Sequence, residues 1–264
     1  MASAVIVIPV YKTSLSEDER ASLSRCFSVL KRYPIVYMAP EGLDLEPLTQ
    51  SFPPMRVERF AASYFASKVS YNALMLSPEF YERFSSWEYL LLYQLDAWVF
   101  RDDLSMWLDR GYDYVGAPWP IRPIYRHPLY KFCSALKTRM MSADKTADDR
   151  HACRGRVGNG GFSLRRTRTI AELLRRHADR VDYYVQRSSF PRYYEDVFFA
   201  VEAPRLEADF KTPTLEEALA FAFDTYPALC YRLNGHQLPF GCHGFNKRKS
   251  RAFWKKQGLP SLRS

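Results

Sequence analysis

No stretch of the chain reaches the roughly 20 consecutive apolar residues that a membrane-crossing helix needs. Met1-Ala2-Ser3-Ala4 has neither the basic stretch nor the long apolar segment of a secretory signal, so the expected location is the cytoplasm. Cysteine is scarce and odd in number: Cys26, Cys133, Cys153, Cys230 and Cys242 include no Cys-x-x-Cys pair. That speaks against a disulfide framework or a structural zinc site and for reduced thiols. The phosphate-cradling pattern GxxxxGK[ST] is missing, and no glycine cluster opens a helix in the dinucleotide-binding manner. Internal repeats, low-complexity segments, helix-turn-helix, zinc-finger and RNA-recognition signatures are likewise lacking. From Gly244 onward there is no acidic residue.

What is present is a chain of 264 residues, 47% hydrophobic and 16% aromatic, with a net charge of +9. That length and composition suffice for one large α/β core. The aromatic content suits carbohydrate-facing surfaces and a dense core equally. The excess charge gathers in Lys247, Arg248, Lys249, Arg251, Lys255, Lys256 and Arg263, interleaved with Phe245, Phe253, Trp254 and Leu259. Residues 244–264 therefore read as a basic tail, suited to an anionic membrane surface, to nucleic acid or simply to solvent. A second basic cluster, Arg165, Arg166, Arg168, Arg175 and Arg176, lies on and around a predicted helix.

Strand and helix patterns alternate. Ala4–Val10 reads as a strand, and Ser16 with Glu19 forms a capping box ahead of Leu23, Cys26, Phe27 and Leu30 at helical spacing. Ile35–Ala39, Met55–Phe60 and Tyr112–Gly116 read as further strands, with helices at Ser77-Pro78-Glu79 and near Leu104–Asp109. The alternation predicts an α/β, doubly wound, mostly parallel mixed sheet flanked by helices, as a single domain over residues 1–243. Residues 121–156 break the rhythm and are expected to be an insertion serving as a lid or acceptor region, with an amphipathic stretch at Leu129–Met141.

Four motifs could carry chemistry. Asp96 ends the apolar run Tyr89–Leu95, which reads as a strand buried on both faces. A carboxylate there is costly unless a metal or cation pairs with it, and ligands bind at the carboxyl ends of such strands; otherwise it is a cap. Gly158-Asn159-Gly160-Gly161 permits positive φ and close approach of backbone N–H groups to a ligand, or forms a plain tight turn. Glu195-Asp196 precedes an apolar helical run, so one acid can cap while the other serves as a general base, or both answer the helix dipole. His243, in a glycine-flanked turn, is a metal ligand or an ordinary hydrogen-bonded imidazole.

In this order the motifs resemble the GT-A class of nucleotide-sugar glycosyltransferases, and more narrowly a bacterial family catalogued as a domain of unknown function and predicted to transfer sugars. The resemblance runs from Val5 to about Lys247 and includes Lys68-Val69-Ser70-Tyr71-Asn72 and Tyr93-Gln94-Leu95-Asp96-Ala97-Trp98. It implies a GT-A-type (Rossmann-like) fold and transfer of a sugar from a nucleotide-diphosphate donor, UDP favoured, to a glycan or lipid-linked acceptor in surface polysaccharide biosynthesis. Pro9, Val10 and Tyr11 would border the nucleoside, and Lys68, with Asn72 nearby, would meet the diphosphate. Gln94, Asp96, Asn159, Gly160 and Gly161 complete the implied donor site. By likeness to fringe-like enzymes, Asp196 beside Glu195 would be the base, inverting the anomeric centre if it acts in line, and His243 a metal ligand with Asp96. The DxD motif of that class reads Asp96-Ala97-Trp98 here, without its second acid, so the implied Mn²⁺ or Mg²⁺ rests on an incomplete motif. The implied location is cytoplasmic, with peripheral attachment to the inner membrane through the basic tail. The alternatives are a non-catalytic nucleotide-sugar or glycan-binding protein on the same fold and, from charge alone, a nucleic-acid binder.

Overall fold

The computed structural model describes residues 3–130, 132–133 and 152–259. Strand β1 (Ala4–Pro9) lies between β2 (Ile35–Pro40) and β4 (Tyr89–Tyr93), with β3 (Arg56–Phe60) outside β2, and these four run parallel. β7 (Val157–Arg166) pairs with β4 in the opposite direction, and β6 (Tyr114–Pro118) pairs antiparallel with β7 at the far edge. The order is therefore β3-β2-β1-β4-β7-β6, with β7 alone reversed.

Period-2 alternation divides the core between the two faces. Ile6 and Ile8 of β1, with Tyr89, Leu91 and Tyr93 of β4, enter one cluster, which helix α1 (Glu17–Val29) covers through Leu23 and Cys26. Val5, Val7, Leu90 and Leu92 enter the other. There they meet α2 (Lys68–Met75), α3 (Pro78–Glu82), α5 (Thr167–Arg176) and α6 (Ala178–Gln186); α4 (Leu104–Leu108) returns to the first face. The capping box at Ser16 and Glu19 is present, with the Ser16 N–H donating to Glu19 at 2.8 Å. The architecture is the expected one: α/β, doubly wound, a mostly parallel mixed sheet with helices on both faces.

A second sheet had no counterpart in the sequence reading. β5 (Ala97–Val99), β8 (Ala222–Phe223) and β9 (Gly241–His243) form it in the order β5-β9-β8. Strands of two or three residues are too short for alternation to register. Helices α7 (Leu215–Phe221), α8 (Pro227–Leu233) and α9 (Arg248–Lys256) pack around it.

This sheet corrects the reading of the C-terminal segment. Phe245, Trp254 and Leu259 are buried with Leu219, Phe223, Cys230 and Cys242, so the apolar residues assigned to a membrane surface face inward. The basic side chains Lys247, Arg248, Lys249, Lys255 and Lys256 remain exposed. Packing thus continues past residue 243 to Leu259. Most of the amphipathic stretch at Leu129–Met141 lies outside the described residues. The base of the 121–156 insertion is stitched shut, since Trp119 N–H donates to Arg156 O and Gly155 N–H to Trp119 O, both at 2.9 Å.

Candidate active site

The turn Gln94–Ala97 carries the chain from the large sheet to the small one, closed by Ala97 N–H donating to Gln94 O at 2.8 Å. Asp96 therefore lies just beyond β4, in that turn. The antiparallel register of β5 and β9 sets Ala97 opposite His243, and Gly244 N–H donates to Asp96 O at 2.8 Å. Residues 147 positions apart in sequence are thereby brought side by side. His243 Nε2 stands 3.0 Å from Asp96 Oδ1 and 3.1 Å from Gln94 Oε1, and Nδ1 is 3.2 Å from Asp224 Oδ1. Lys247 Nζ reaches the same Asp224 oxygen at 3.1 Å.

The charges follow from these contacts. Burial alone would lower the His243 pKa, but Asp96 and Asp224 outweigh it and raise it to about 9. Burial alone would raise the Asp96 carboxyl, yet His243 and Lys247 hold it below the usual carboxylate range, and Asp224 is held down in the same way.

The glycine segment is part of β7, and none of Gly158, Gly160 and Gly161 has a positive φ, contrary to the turn expectation. Lack of a side chain matters there for a different reason. A Cβ on Gly161 would stand 2.2 Å from His243 Nε2, and one on Gly160 would stand 2.2 Å from Glu195 Oε1. The strand has been stripped so that the imidazole and the carboxylate can lie on its backbone.

Glu195 and Asp196 open a helical segment, Glu195–Leu206, whose middle, Phe198–Glu202, is a π-helix. Such wide turns are frequent at functional sites. The Asn72 carboxamide oxygen accepts the Glu195 N–H and fixes the start of this segment. Arg165 is 0% exposed and bonds Glu195 Oε1 at 3.1 Å, Tyr81 Oη at 2.9 Å and Ser163 Oγ at 2.9 Å. Glu195 Oε2 is buried without a hydrogen-bond partner among the described residues. The Asp196 carboxyl is raised to about 7 by burial and then by the neighbouring Glu195 charge. A carboxyl titrating near neutrality suits proton transfer.

Gln94, Asp96, Glu195, Asp196, His243 and Lys247 share one cavity of about 790 Å³ at the carboxyl ends of β1 and β4, with Asp224 and Arg165 behind it. Residues 54–243 match a family described as "Protein of unknown function (DUF5672)". The chain belongs to that family. Its matched span runs from just before β3 to His243 and takes in every candidate site residue except Pro9, Val10 and Tyr11. No curated protein sequence matches the chain. Among solved structures it is similar to mouse xyloside xylosyltransferase 1 in its apo form (TM-score 0.49, 12% identity, 94% of this chain and 98% of that one). It is also similar to core-mannan synthase A (CmsA/Ktr4) of Aspergillus fumigatus in its Mn/GDP form (TM-score 0.48, 10% identity, 76% and 70%). A third similar structure is the mannosyltransferase Ktr4p of S. cerevisiae (TM-score 0.44, 12% identity, 74% and 62%).

Within this DUF5672 chain, Pro9, Tyr11, Lys68, Asn72, Gln94, Asp96, Asn159, Gly160, Gly161, Glu195, Asp196 and His243 all line the cavity. Val10 does not: it follows the strand alternation into the core and is 0% exposed. Asn72 reaches the cavity, but its carboxamide is engaged by backbone at residues 193 and 195, which makes it a support for the acidic pair. Asn159 is also turned inward, accepting the Gly161 N–H at 3.0 Å. Sequence reasoning missed Asp224, Lys247 and Arg165. Asp224 carries the signature that singled out Asp96, an apolar run (Phe221-Ala222-Phe223) ended by an acid, in a strand too short to notice. Lys247 reads from sequence as part of the basic tail, and Arg165 as one of a basic cluster on and around a helix.

Proposed function

We propose that the protein is a glycosyltransferase that moves a sugar from a nucleotide-diphosphate donor, UDP favoured, to a glycan or lipid-linked acceptor, in the cytoplasm and in surface polysaccharide synthesis. The observation that carries this reading is the meeting, in one cavity, of two cationic side chains, a neutral-range carboxyl and an Asp–His pair from distant parts of the chain. Lys68, at the first turn of α2, and Lys247 supply positive charge for a diphosphate, reinforced by the helix N-terminus. Asp196 accepts the proton of the acceptor hydroxyl as its oxygen attacks the anomeric carbon. The bond from that carbon to the diphosphate breaks, and the diphosphate leaves with the electron pair. In-line attack of this kind inverts the anomeric centre.

The donor set fits a divalent cation that displaces the proton His243 Nε2 shares with Asp96. Asp96 Oδ1 and His243 Nε2 converge with Gln94 Oε1 beside them, and Asp224 orients the imidazole through Nδ1, as carboxylates behind metal-bound histidines do. Among the described residues no three His, Cys, Asp or Glu side chains form a cage. Mg²⁺-like ions are held by few protein groups plus substrate phosphates, which suits that shortage. Asp96 and His243 would hold the ion, and it would neutralise charge growing on the leaving diphosphate.

Thermal unfolding against UDP, GDP, CMP and dTDP, each with and without Mn²⁺, tests the donor site. Saturation at about 100 times Kd adds roughly 2.7 kcal/mol, which raises the midpoint by about 5–10 °C for a chain of this size. A shift with one nucleotide that grows with metal is expected. No shift with any of the four refutes the reading.

A further inference from the structure

Aromatic rings and guanidinium groups alternate in an unbroken row. The Arg122 guanidinium carbon lies 4.7 Å from the Tyr226 ring centre and 5.5 Å from that of Tyr125. Arg154 covers the other side of Tyr125 at 3.9 Å and reaches Tyr130 at 5.8 Å, with an Nη2–H donated to the Tyr130 hydroxyl at 3.1 Å. Tyr125 and Tyr130 are themselves 5.0 Å apart. The row joins the 121–156 insertion to the loop after β8.

Two of its members lie close along the chain to groups of the site. Tyr226 is two residues beyond Asp224 and holds a left-handed backbone, φ 53°, with its ring 48% exposed. For a bulky residue that conformation is strained, and it is stacking on Arg122 that the strained backbone delivers. Arg154 follows Cys153, which with Ala152 and Trp119 packs against Val197 and Ala200, directly behind Asp196.

Stacking occupies the face of a guanidinium and leaves N–H groups at its edge for a planar anion, apart from the Arg154 Nη2–H that goes to Tyr130. Among the described residues, no ion pair ties Arg122 or Arg154 to a carboxylate. Tyr226, at 48% exposure, presents an apolar ring of the kind that pyranose rings stack on. Neutral sugars would need the rings alone, so the two guanidinium edges point to charge on the ligand.

We propose that the Tyr226–Arg122–Tyr125–Arg154–Tyr130 row is the acceptor subsite and that the acceptor is an anionic saccharide, bearing carboxylate or phosphate groups. This deepens the transferase reading and rests on it for the word acceptor; the binding itself does not.

The test compares tetragalacturonate with the neutral, size-matched maltotetraose by titration calorimetry at 150 mM salt, on the wild type, Arg122→Ala/Arg154→Ala and Tyr226→Ala. Wild type should prefer the charged sugar by about tenfold or more, and the double variant should lose that preference, the worth of one or two charge-assisted hydrogen bonds. Tyr226→Ala should weaken both sugars. Galactose 1-phosphate against inorganic phosphate separates a phosphorylated saccharide from a bare anion: the sugar phosphate should bind more tightly, and equal binding overturns the proposal. So does equal binding of the two tetrasaccharides, or an unchanged preference in the double variant. Binding to phosphatidylglycerol vesicles that the double variant abolishes, with no saccharide bound, overturns it in favour of a membrane contact. Should the double variant unfold, Arg122→Gln alone must still reduce the preference. Nucleotide-induced thermal shifts serve as the control: their absence in wild type removes the donor reading while tetragalacturonate binding keeps the row, and the converse result does the reverse.

Discussion

Replacing Asp196 by Asn tests the electrostatics of the site and its chemistry separately. Burial, then the Glu195 charge, holds the Asp196 carboxyl at about 7 against an ordinary 3.8, with Arg165, the Val197 N–H and Asp224 as the other groups acting on it. The folded protein thus binds this proton more tightly than the unfolded chain does. Its contribution to stability is complete below about 3.8 and is lost as pH rises to about 7. At about 1.36 kcal/mol per unit the whole interval is worth roughly 4 kcal/mol. Access of cavity water to the side chain reduces that to about 2–3 kcal/mol by solvent screening. Asn has no proton to lose, so Asp196→Asn should gain on the wild type by roughly 5–10 °C in Tm between pH 4.5 and pH 8, most of it below pH 7. Calorimetric scans of both proteins across that range measure it. Parallel Tm curves would refute the burial argument. In the same variant turnover should vanish while nucleotide binding persists, and the wild-type rate should climb with pH through about 7. Undiminished turnover would remove Asp196 as the base.

Arg165→Met leaves the Glu195 carboxylate buried without its cation and should cost about 3–5 kcal/mol in urea unfolding, part of it restored by adding Glu195→Gln; a cost below about 1 kcal/mol would mean that the pair is not the buried contact described. Trp254→Ala should cost about 3–5 kcal/mol, as for other buried aromatics. It should leave sedimentation with anionic vesicles unchanged, whereas loss of vesicle binding at constant Tm would return Trp254 to a membrane role.

Much of the large sheet was legible because strands such as Ala4–Pro9 and Tyr89–Tyr93 are unbroken apolar runs, whose odd and even residues enter different clusters. Asp96 was legible for the same reason, since a long apolar run makes its terminal acid conspicuous. The small sheet was not, and with it went Asp224, because two- and three-residue strands leave no periodic trace. The burial of Arg165 was not legible because a local pattern groups it with the neighbouring arginines and does not show its partner. Glu195, 30 residues on, supplies the carboxylate that lets a guanidinium be buried there, with Tyr81 and Ser163 as further partners. Glycine at 160 and 161 was noticed for the freedom of its backbone, whereas the structure uses its lack of bulk against side chains contributed by distant segments.

The pairing of β5 with β9 has a consequence for how this family can vary. Asp96 and His243 meet because Ala97 sits across from His243, so their separation is a property of the ladder, copied without regard to what either side chain prefers. Sliding β9 by one position would bring Cys242 across from Ala97 and turn the imidazole to the opposite face. Insertions and deletions should therefore be purged from the few residues between Phe240 and Gly244, yet accumulate freely between Trp119 and Gly155, whose ends are already tied together. The chain can lengthen between Trp119 and Gly155 and must keep its count where the β5–β9 ladder sets Asp96 beside His243.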